Sequence, residues 1–398
     1  MPTSHQQKPV TSNKTITRHA SALNVLIVGA GIAGLCMARL LKEQGHQVVV
    51  YEKHVEQRSE GAGICLPANA MLGLQKLGLA AKVRQYSHQV HSIQYSKANG
   101  ELLAKASLDV APLNSADFVA LSRPQLLSLL ADGLSANIRY GHYLTELNQI
   151  DDAVEVINNQ GETHRFDLLI GADGIHSATR QRLHPGAEAS TLPVTHWRFI
   201  ANMDTKGLEP NYYVGNDSAF MIYPMSPNQV YCYAQVVDRY EAWLSSTPSI
   251  ALLEIFSRYN DKVRACIAQA DDEQIIADKL RTVDKAFYYQ GRVVLVGDAL
   301  HGCPPSLQQG VGLSLEDVLT LANLLENHPV EEAIRNYQTK RQSRIEWVIS
   351  ESNHIIDLAA KGKYLPGRLI RNFLIRKNGP ANVAGWRKLL TELPDCLR

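Results

Sequence analysis

Several features that would place the chain in a special class of protein are missing from its sequence. No uninterrupted apolar run is long enough to span a bilayer. There is no internal repeat and no low-complexity tract, so neither a solenoid nor a long disordered region is expected. The formal net charge is only +1, so no global field attracts nucleic acid. These absences predict an ordinary globular protein without a nucleic-acid partner.

Cysteine is sparse and scattered. The six residues form no C-x-x-C pair and show no metal-ligand spacing, so no metal site is predicted. Unpaired cysteines of this kind are typical of a reduced, cytoplasmic protein, and that localisation is our expectation. The cysteines are Cys36, Cys65, Cys232, Cys266, Cys303 and Cys396.

The chain has 398 residues, which is enough for two ordinary domains or for one large fold with an insertion. Its first 22 residues are polar and contain no apolar stretch that a secretion signal could use. We interpret residues 1–22 as a disordered tail.

A strand, a glycine turn, a helix and a second strand follow one another after this tail. Residues 23–28 are an apolar run typical of a strand buried on both faces of a parallel sheet. The run leads into Gly29, Gly31 and Gly34 in G-x-G-x-x-G spacing, and the second strand ends on Glu52. Such glycines allow a tight turn, close approach of a pyrophosphate, and close helix packing. This unit predicts a site for an adenine dinucleotide, either FAD or NAD.

Two later segments have the same character. Residues 168–170 are strand-like and end in the turn Gly171-Ala172-Asp173-Gly174. Residues 293–296 end in Gly297-Asp298, after which a proline-containing loop leads to a helix that begins near Gly310. Ligands of open α/β sheets collect at the carboxyl ends of the strands, so the three turns are expected to share one site. The helix start would direct its positive dipole end at that site.

With these three segments in this order, the sequence resembles the class A flavoprotein monooxygenases, whose best-known fold is that of para-hydroxybenzoate hydroxylase. The similarity covers roughly residues 25–344 and includes weaker matches around Arg58 to Ile64 and around Arg123. It implies an α/β fold in which a Rossmann-like FAD-binding domain carries an inserted β-sheet substrate domain and is followed by C-terminal helices. The predicted division is an FAD-binding domain at 23–190 and 281–325, a substrate domain at 191–280, and a helical region at 326–398.

The resemblance also implies roles for single residues. Glu52 would hold the adenosine ribose, Arg123 the central part of the cofactor, and Asp298 the ribityl chain. Asp173 would support FAD and the access of nicotinamide. The full set of predicted cofactor-binding residues is Gly29, Gly31, Gly34, Glu52, Lys53, Arg58, Gly63, Arg123, Asp173, Asp298, Pro305, Gly310 and Val311.

The third segment departs from the family pattern. Family members often read P-x-x-G-Q-G there, whereas this chain has Gln308 in place of the first of those glycines. A glutamine side chain close to the flavin ring is expected to alter flavin mobility or oxygen access. Gly312 stands where asparagine is common.

The middle of the chain predicts a sheet. Residues 197–202, 219–225 and 229–237 read as strands, with a hairpin turn at Pro227 and Asn228. The family resemblance implies that this sheet roofs the substrate cavity. Its tyrosines either pack on the sheet or orient a planar substrate, and the sequence leaves both open. The predicted substrate-orienting residues are Tyr223, Tyr231 and Tyr233.

Three further polar residues lie close to these segments. His301, which follows the Gly297-Asp298 turn, is expected to be a structural hydrogen-bonding residue beneath the loop. His196 and Arg198 are expected to be solvated, although either could meet an acidic substrate.

The chain from Lys361 onward is basic, and apolar residues recur at helical spacing between 368 and 377. This pattern indicates either an ordinary helix with a solvated basic face, which we favour, or an anchor for an anionic membrane.

The function implied by the resemblance is an FAD-dependent monooxygenase that uses NADPH or NADH and O₂ to hydroxylate an aromatic or polyketide-like molecule through a flavin hydroperoxide. Three alternatives remain. A halogenase shares the fold, but the chain contains no W-x-W-x-I-P segment. A reductase or dehydrogenase would turn over without incorporating oxygen. A non-catalytic nucleotide-binding scaffold would not need Asp298 or the proline loop. A monomer or a homodimer is expected.

Overall fold

The computed structural model describes residues 22–57 and 62–398. The predicted tail at 1–22 falls almost wholly outside these ranges, and so does Arg58. All six cysteines are free thiols. Within the described ranges, no helix is long and apolar enough to cross a membrane, and no group of three or more His, Cys, Asp or Glu side chains is placed to hold a metal ion.

Nineteen strands are present in the part of the chain that the structure describes. In chain order they are β1 (Asn24–Val28), β2 (Gln47–Glu52), β3 (Gly63–Leu66), β4 (His88–Gln89), β5 (Ser92–Lys97), β6 (Leu102–Ser107), β7 (Val119–Ser122), β8 (Ile138–Tyr140), β9 (Leu144–Ile150), β10 (Ala153–Asn158), β11 (Thr163–Phe166), β12 (Leu168–Gly171), β13 (Ser190–Asn202), β14 (Asn211–Val214), β15 (Ser218–Ser226), β16 (Gln229–Val237), β17 (Ile276–Thr282), β18 (Tyr289–Gln290) and β19 (Val293–Leu295).

Twelve α-helices accompany the strands in the same described ranges. They are α1 (Ile32–Glu43), α2 (Ala68–Lys76), α3 (Ala80–Gln85), α4 (Arg123–Ala131), α5 (Ala178–Leu183), α6 (Pro248–Ile255), α7 (Asp261–Ile267), α8 (Asp298–His301), α9 (Gly310–Asn327), α10 (Val330–Ala360), α11 (Leu365–Asn378) and α12 (Ala381–Thr391).

The six-stranded sheet has the order β18-β19-β12-β1-β2-β8, and every neighbouring pair except β18–β19 is parallel. Its central strands β12 and β1 are buried except for Asn24, as their apolar runs predict. Val28 pairs with Gly171, and Gly171 pairs with Leu295. The carboxyl ends of β1, β12 and β19 therefore meet at one edge of the sheet, as predicted.

The seven-stranded sheet has the order β17-β13-β16-β15-β14-β5-β6. The hairpin predicted at Pro227 and Asn228 joins β15 to β16. Two of the strands, β5 and β6, come from a stretch that the predicted division gives to the FAD-binding domain. They join the sheet because β14 pairs with β5 in parallel, a long-range pairing that local pattern cannot indicate. The sheet thus extends beyond residues 191–280.

The two faces of this sheet have different partners. One face buries Trp197, Phe199 and Phe220 against α6 and α7. The opposite face turns toward β3, α12 and residues 302–309, which we call the proline loop. We call this second surface the aromatic face, and it carries Tyr212, Met221, Tyr223, Tyr231 and Tyr233. The alternation predicted for Tyr231 and Tyr233 is confirmed.

Candidate active site

The first glycine turn leaves no room for a side chain at its first and third glycines, Gly29 and Gly34. Gly29 has a φ of +105°, and its N–H donates to the Tyr51 carbonyl at 2.7 Å. A Cβ on Gly34 would lie 1.9 Å from the Gly29 carbonyl oxygen, so only glycine lets α1 pack this closely. A Cβ on Gly31 would meet nothing within 4 Å. Gly31 therefore borders open space at the amino end of α1, where a phosphate can approach the helix N–H groups.

Glu52 ends β2 beside this turn. One carboxylate oxygen accepts the Ala30 N–H at 2.9 Å, and the other accepts the His54 N–H at 3.0 Å. The carboxylate is thus held in place, while each oxygen keeps further lone-pair capacity for a ribose hydroxyl. Lys53 is exposed beside it.

Asp173 closes its own loop. Its carboxylate accepts the Ser177 hydroxyl, and it also accepts the N–H and the hydroxyl of Thr179, at 2.9 and 3.0 Å. These bonds fix the turn that follows β12 at the common edge of the sheet. A direct contact between Asp173 and a cofactor stays a prediction.

Arg180 is a structural residue that sequence reasoning missed. It is fully buried and donates to three carbonyl oxygens, those of Ile175, Ala187 and Ala299, at 2.7, 2.7 and 2.8 Å. Ala299 lies in α8, so Arg180 ties the second glycine segment to the third. No local pattern around Arg180 indicates that its side chain is buried, because Ala299 is distant in sequence.

Asp298 begins α8, and its side chain is exposed. One carboxylate oxygen lies 3.8 Å from the position that a Cβ on Gly310 would occupy. Gly310 is the first residue of the 18-residue helix α9. An acceptor and the positive end of a long helix therefore face the same space. Pro305 is exposed next to them in the proline loop, whereas Val311 is buried.

A buried cluster of charged residues lies beneath this loop, and no local pattern in the sequence predicts it. Arg341 donates to Glu316 and to Asp317, both at 2.8 Å, and Arg344 donates to Glu316 at 2.7 Å. His301 bonds with Asp317 at 2.7 Å, so its expected structural role is confirmed. We call these five residues the buried ion cluster. Burial alone would raise the pKa of both carboxyls, but the neighbouring cations outweigh it and hold each pKa below its ordinary value.

Asn69 connects the buried ion cluster to the proline loop. Its side-chain N–H groups reach Glu316 at 3.1 Å and Gln309 at 2.8 Å. Gln309 is itself buried and immediately precedes α9. The start of α9 is therefore fixed by a continuous set of buried hydrogen bonds.

The aromatic face carries a hydrogen-bonded group at its contact with the proline loop. The Tyr212 and Tyr223 hydroxyls are 3.0 Å apart. Gln308 donates to the Tyr212 hydroxyl at 2.7 Å, and Asn382 of α12 donates to it at 3.3 Å. The carbonyl oxygen of Gln308 is buried and has no hydrogen-bond partner among the described residues. The Tyr95 ring stacks on Tyr212 with 4.6 Å between the ring centroids.

Tyr231 and Tyr233 are placed differently from Tyr223. Tyr231 packs against β3, where a Cβ on Gly63 would lie 2.5 Å from it. The Tyr233 hydroxyl donates to Gln235 at 2.9 Å. The structure therefore brings only Tyr223, of the three predicted tyrosines, into the group at the proline loop.

His196 and Arg198 also lie on the aromatic side of the sheet. His196 is only 5% exposed, so the expectation that it is solvated is wrong. The reason is its place in the middle of the sheet, between β16 and β17, with its ring stacked 5.7 Å from that of Tyr233. Burial lowers the pKa of His196 to about 3, so its ring is neutral at neutral pH. Arg198 pairs with Tyr233 across the strands and is half-buried.

A cleft of about 550 Å³ opens between the start of α4 and the β15–β16 hairpin. Arg123 is the first residue of α4, and its N–H donates to the Ala62 carbonyl at 3.1 Å. Helix α4, which begins at this predicted cofactor-binding residue, and the seven-stranded sheet therefore border the same cleft. Its lining includes Ser122, Pro124, Gln125, Ser128, Met225 and Gln229.

Together these features fit an extended dinucleotide. The open amino end of α1 at Gly31 suits a pyrophosphate, and the fixed carboxylate of Glu52 suits an adenosine ribose. The exposed carboxylate of Asp298 beside the start of α9 suits a polyhydroxy chain and the electron-rich edge of a flavin. The donor and acceptor set is that of an FAD site.

Known proteins share this organisation. The family described as FAD binding domain matches residues 22–352. The chain is 30% identical over 336 residues to 2-heptyl-3-hydroxy-4(1H)-quinolone synthase of Pseudomonas aeruginosa, and the alignment covers 83% of this chain and 88% of that protein. It is 28% identical over 339 residues to 3-amino-4-hydroxybenzoate 2-monooxygenase of Streptomyces cremeus, with 81% and 84% covered.

Solved structures share the fold. HpxO of Klebsiella pneumoniae, complexed with FAD and uric acid, superposes with a TM-score of 0.85 at 24% identity, over 95% of this chain and 99% of that one. PqsL of P. aeruginosa, in complex with 2-aminobenzoylacetate, has a TM-score of 0.76 at 22% identity, over 86% and 98%. The chain belongs to the FAD-dependent monooxygenases of class A, the para-hydroxybenzoate hydroxylase-like flavoproteins.

Proposed function

We propose that the protein inserts one oxygen atom of O₂ into a planar aromatic or heteroaromatic ring that is held between the proline loop and the aromatic face. NADH or NADPH is the electron donor. The names of three relatives support this substrate class, since they contain a hydroxylated quinolone, an aminohydroxybenzoate and a hydroxynicotinate. Each ring carries an oxygen substituent that a buried polar group can recognise.

In this proposal the predicted cofactor-binding residues hold FAD. Gly31 leaves room for the pyrophosphate in a turn that Gly29 and Gly34 keep tight, Glu52 binds the adenosine ribose, and Asp298 binds the ribityl chain. Bound FAD supplies the redox chemistry, because it accepts a hydride from the nicotinamide and activates O₂ for transfer of one oxygen atom. The protein contributes the orientation of the ring and the exclusion of water.

The single observation that carries the proposal is the hydrogen-bonded group at the proline loop. The Tyr212 oxygen accepts from Gln308 and from Asn382, which uses both of its lone pairs. Its own proton is therefore donated to Tyr223. The Tyr223 proton and the buried Gln308 carbonyl oxygen are then the donor and the acceptor that the other side chains of this group leave available. A ring with an oxo or hydroxyl group next to an N–H or O–H matches that pair.

Both tyrosines act as donors and not as bases. Burial raises the pKa of Tyr212 and of Tyr223 well above the ordinary value of 10. Neither hydroxyl ionises near neutral pH, so the pair orients the ring without removing its proton.

The reaction is tested by measuring NAD(P)H oxidation by the purified FAD-loaded protein against phenols, hydroxypyridines and quinolones. A substrate accelerates the oxidation and gains the mass of one oxygen atom, and ¹⁸O₂ labels the product. Accelerated oxidation without oxygen incorporation for every active compound would instead identify a reductase.

The orienting role is tested by Tyr223→Phe, which keeps the ring and removes only the hydroxyl. We expect the variant to stay folded and to retain its FAD, with a modest fall in melting temperature because the buried Tyr212 hydroxyl loses its acceptor. It should form several-fold less product per NAD(P)H oxidised, with H₂O₂ making up the difference. One buried hydrogen bond is worth about 0.5–1.5 kcal/mol, which limits the effect to roughly tenfold.

Tyr213→Phe is the matched control, because Tyr213 is the neighbouring buried tyrosine on the opposite face of the sheet. Tyr231→Phe and Tyr233→Phe should behave like this control, since Tyr231 packs on β3 and the Tyr233 hydroxyl is bonded to Gln235. Equal coupling in Tyr223→Phe and Tyr213→Phe would show that the polar handle lies elsewhere.

A further inference from the structure

Helix α11 is attached to the protein by its cations. Arg371 is only 5% exposed and donates to the Gly215 carbonyl at 2.8 Å. Arg368 bonds with Asn216, one residue further along the same loop between β14 and β15. Near the other end of the helix, Arg376 pairs with Glu101.

Four apolar side chains of α11 are strongly exposed. Leu365, Leu369, Ile370 and Phe373 are 58%, 62%, 58% and 61% exposed, and Tyr364 just before the helix is 71% exposed. Their spacing places them along one side of the helix. The side that an ordinary surface helix buries against the core is here the side that faces outward.

The favoured interpretation of the sequence, in which α11 is an ordinary helix with a solvated basic face, holds for the exposed Arg376 and Lys377 but not for the buried Arg371. Arg368 and Arg371 contact the loop between β14 and β15, Arg376 pairs with Glu101, and the apolar stripe is solvent-exposed. A contiguous exposed apolar stripe on a surface marks a place of contact.

The charge around the stripe restricts what can cover it. The helix contains four cations and no Asp or Glu between Leu365 and Asn378, and the exposed Lys363 lies just before it. A second copy that docked its own α11 symmetrically would bring like charges together without an acid to compensate them. Residues 1–21 of the sequence have three cations and no acid, so they do not complement the stripe either.

An anionic lipid surface complements both properties, since its headgroups attract the exposed Lys363 and Lys377 and its acyl boundary accepts the apolar side chains. The helix has 14 residues and so extends for about 21 Å at 1.5 Å per residue, which is too short to span a bilayer. We propose that α11 lies in the plane of an anionic membrane surface and binds the protein to it through Leu365, Leu369, Ile370 and Phe373, with Tyr364 at the headgroup level.

The test measures sedimentation of the full-length FAD-loaded protein with vesicles of phosphatidylcholine mixed with phosphatidylglycerol, and with vesicles of phosphatidylcholine alone. We expect binding to the mixed vesicles that weakens as salt is raised, and far less binding to the neutral ones. The triple variant Leu369→Gln, Ile370→Gln and Phe373→Gln should bind the mixed vesicles at least about tenfold more weakly.

The matched control replaces three apolar residues of similar exposure elsewhere on the surface, Tyr240→Gln, Ile250→Gln and Leu253→Gln. This variant should bind like the parent protein. Lys363→Gln with Lys377→Gln tests the charges separately, and it should lower binding without disturbing the apolar stripe. FAD content and circular dichroism establish that each variant is folded.

Three results would overturn the proposal. The first is that the parent protein does not bind the mixed vesicles. The second is that the triple variant and the control variant bind them equally. The third is that sedimentation velocity shows a dimer of the parent protein which the triple variant does not form, while neither protein binds vesicles; a second copy would then cover the stripe.

Discussion

Asp298 and His301, which lie in α8 just before the proline loop, have opposite surroundings. Asp298 is exposed and faces the first residue of α9. His301 is fully buried and bonds with Asp317 at 2.7 Å. The first is placed to meet a ligand, and the second is placed to hold the protein together. Substitution at the two positions should therefore affect different measurements.

Asp298→Ala is expected to weaken FAD binding by about tenfold or more, because a hydrogen bond to a charged group is worth about 1.5–3 kcal/mol. The melting temperature of the FAD-free protein should hardly change, since the carboxylate is exposed. His301→Ala should lower the melting temperature, because it leaves a buried Asp317 oxygen with one hydrogen-bond partner fewer, and it should hardly change FAD binding. Titration of FAD-free protein with FAD, and calorimetry, provide the two measurements. Equal FAD affinities in the two variants would mean that Asp298 does not contact the cofactor.

Gln308 shows a physical reason for a departure that the sequence could only note. Its φ is +54°, a left-handed conformation in which glycine is the usual residue. Here a glutamine adopts it, and its amide reaches the Tyr212 hydroxyl at 2.7 Å. The side chain therefore links the proline loop to the aromatic face, a link that glycine cannot make.

At the scale of elements, α9 and α10 are joined through the buried ion cluster. Arg341 of α10 is 1% exposed and contacts both Glu316 and Asp317 of α9. Breaking a buried ion pair by removing one partner leaves an uncompensated charge in the interior. The start of α9 lies at the predicted flavin edge, so the cluster supports the site as well as the core.

Arg341→Met is accordingly expected to lower the free energy of unfolding by about 3–5 kcal/mol at pH 7. Arg335→Met, at an exposed position of the same helix, should stay within about 0.5 kcal/mol of the parent protein. Urea unfolding followed by circular dichroism measures both. A loss for Arg341→Met that is no larger than the loss for Arg335→Met would show that the cluster contributes nothing to stability.

The same cluster predicts how stability depends on pH. The folded-state pKa values of Glu316 and Asp317 lie below their ordinary values of 4.5 and 3.8. Their contribution is therefore present above those ordinary values and is lost as the pH falls through the lower, folded ones. In Arg341→Met the two carboxyls keep Arg344 and His301 but lose the cation that they share, so their pKa values should rise and the difference in stability from the parent protein should shrink between pH 7 and pH 5.

Local pattern was enough to predict several elements and not enough for the contacts between them. The apolar runs and glycine spacing gave β1, β12 and β19 and their common edge, because those signals lie within a few residues of one another. Helical periodicity predicts α11 but not which side of the helix faces solvent, since that depends on the contact of Arg371 with the loop at Gly215. Arg180 and the buried ion cluster were missed because their partners are distant in sequence.

At the scale of the whole molecule, helix α12 connects the proline loop to the seven-stranded sheet. Trp386 donates to the Leu307 carbonyl of the proline loop at 2.7 Å, and Asn382 donates to Tyr212 of the seven-stranded sheet. The residues of the predicted cofactor site likewise come from several elements, since they lie in or directly beside β1, β2, β19 and α9. A ligand that contacts so many elements binds only the folded chain, and it should stabilise the molecule as a unit.

This gives a prediction for the intact protein that separates FAD from FMN. FAD at a hundred times its dissociation constant should stabilise the folded state by about 2.7 kcal/mol and raise the melting temperature of FAD-free protein by a few degrees. FMN at the same concentration should give a much smaller shift, because it lacks the adenosine half that Glu52 and the turn at Gly31 are placed to bind. Scanning calorimetry with each flavin measures the difference, and Glu52→Gln should reduce the FAD shift. An FMN shift as large as that of FAD would mean that the first glycine turn does not hold the dinucleotide, and the cofactor assignment would then fail at its first step.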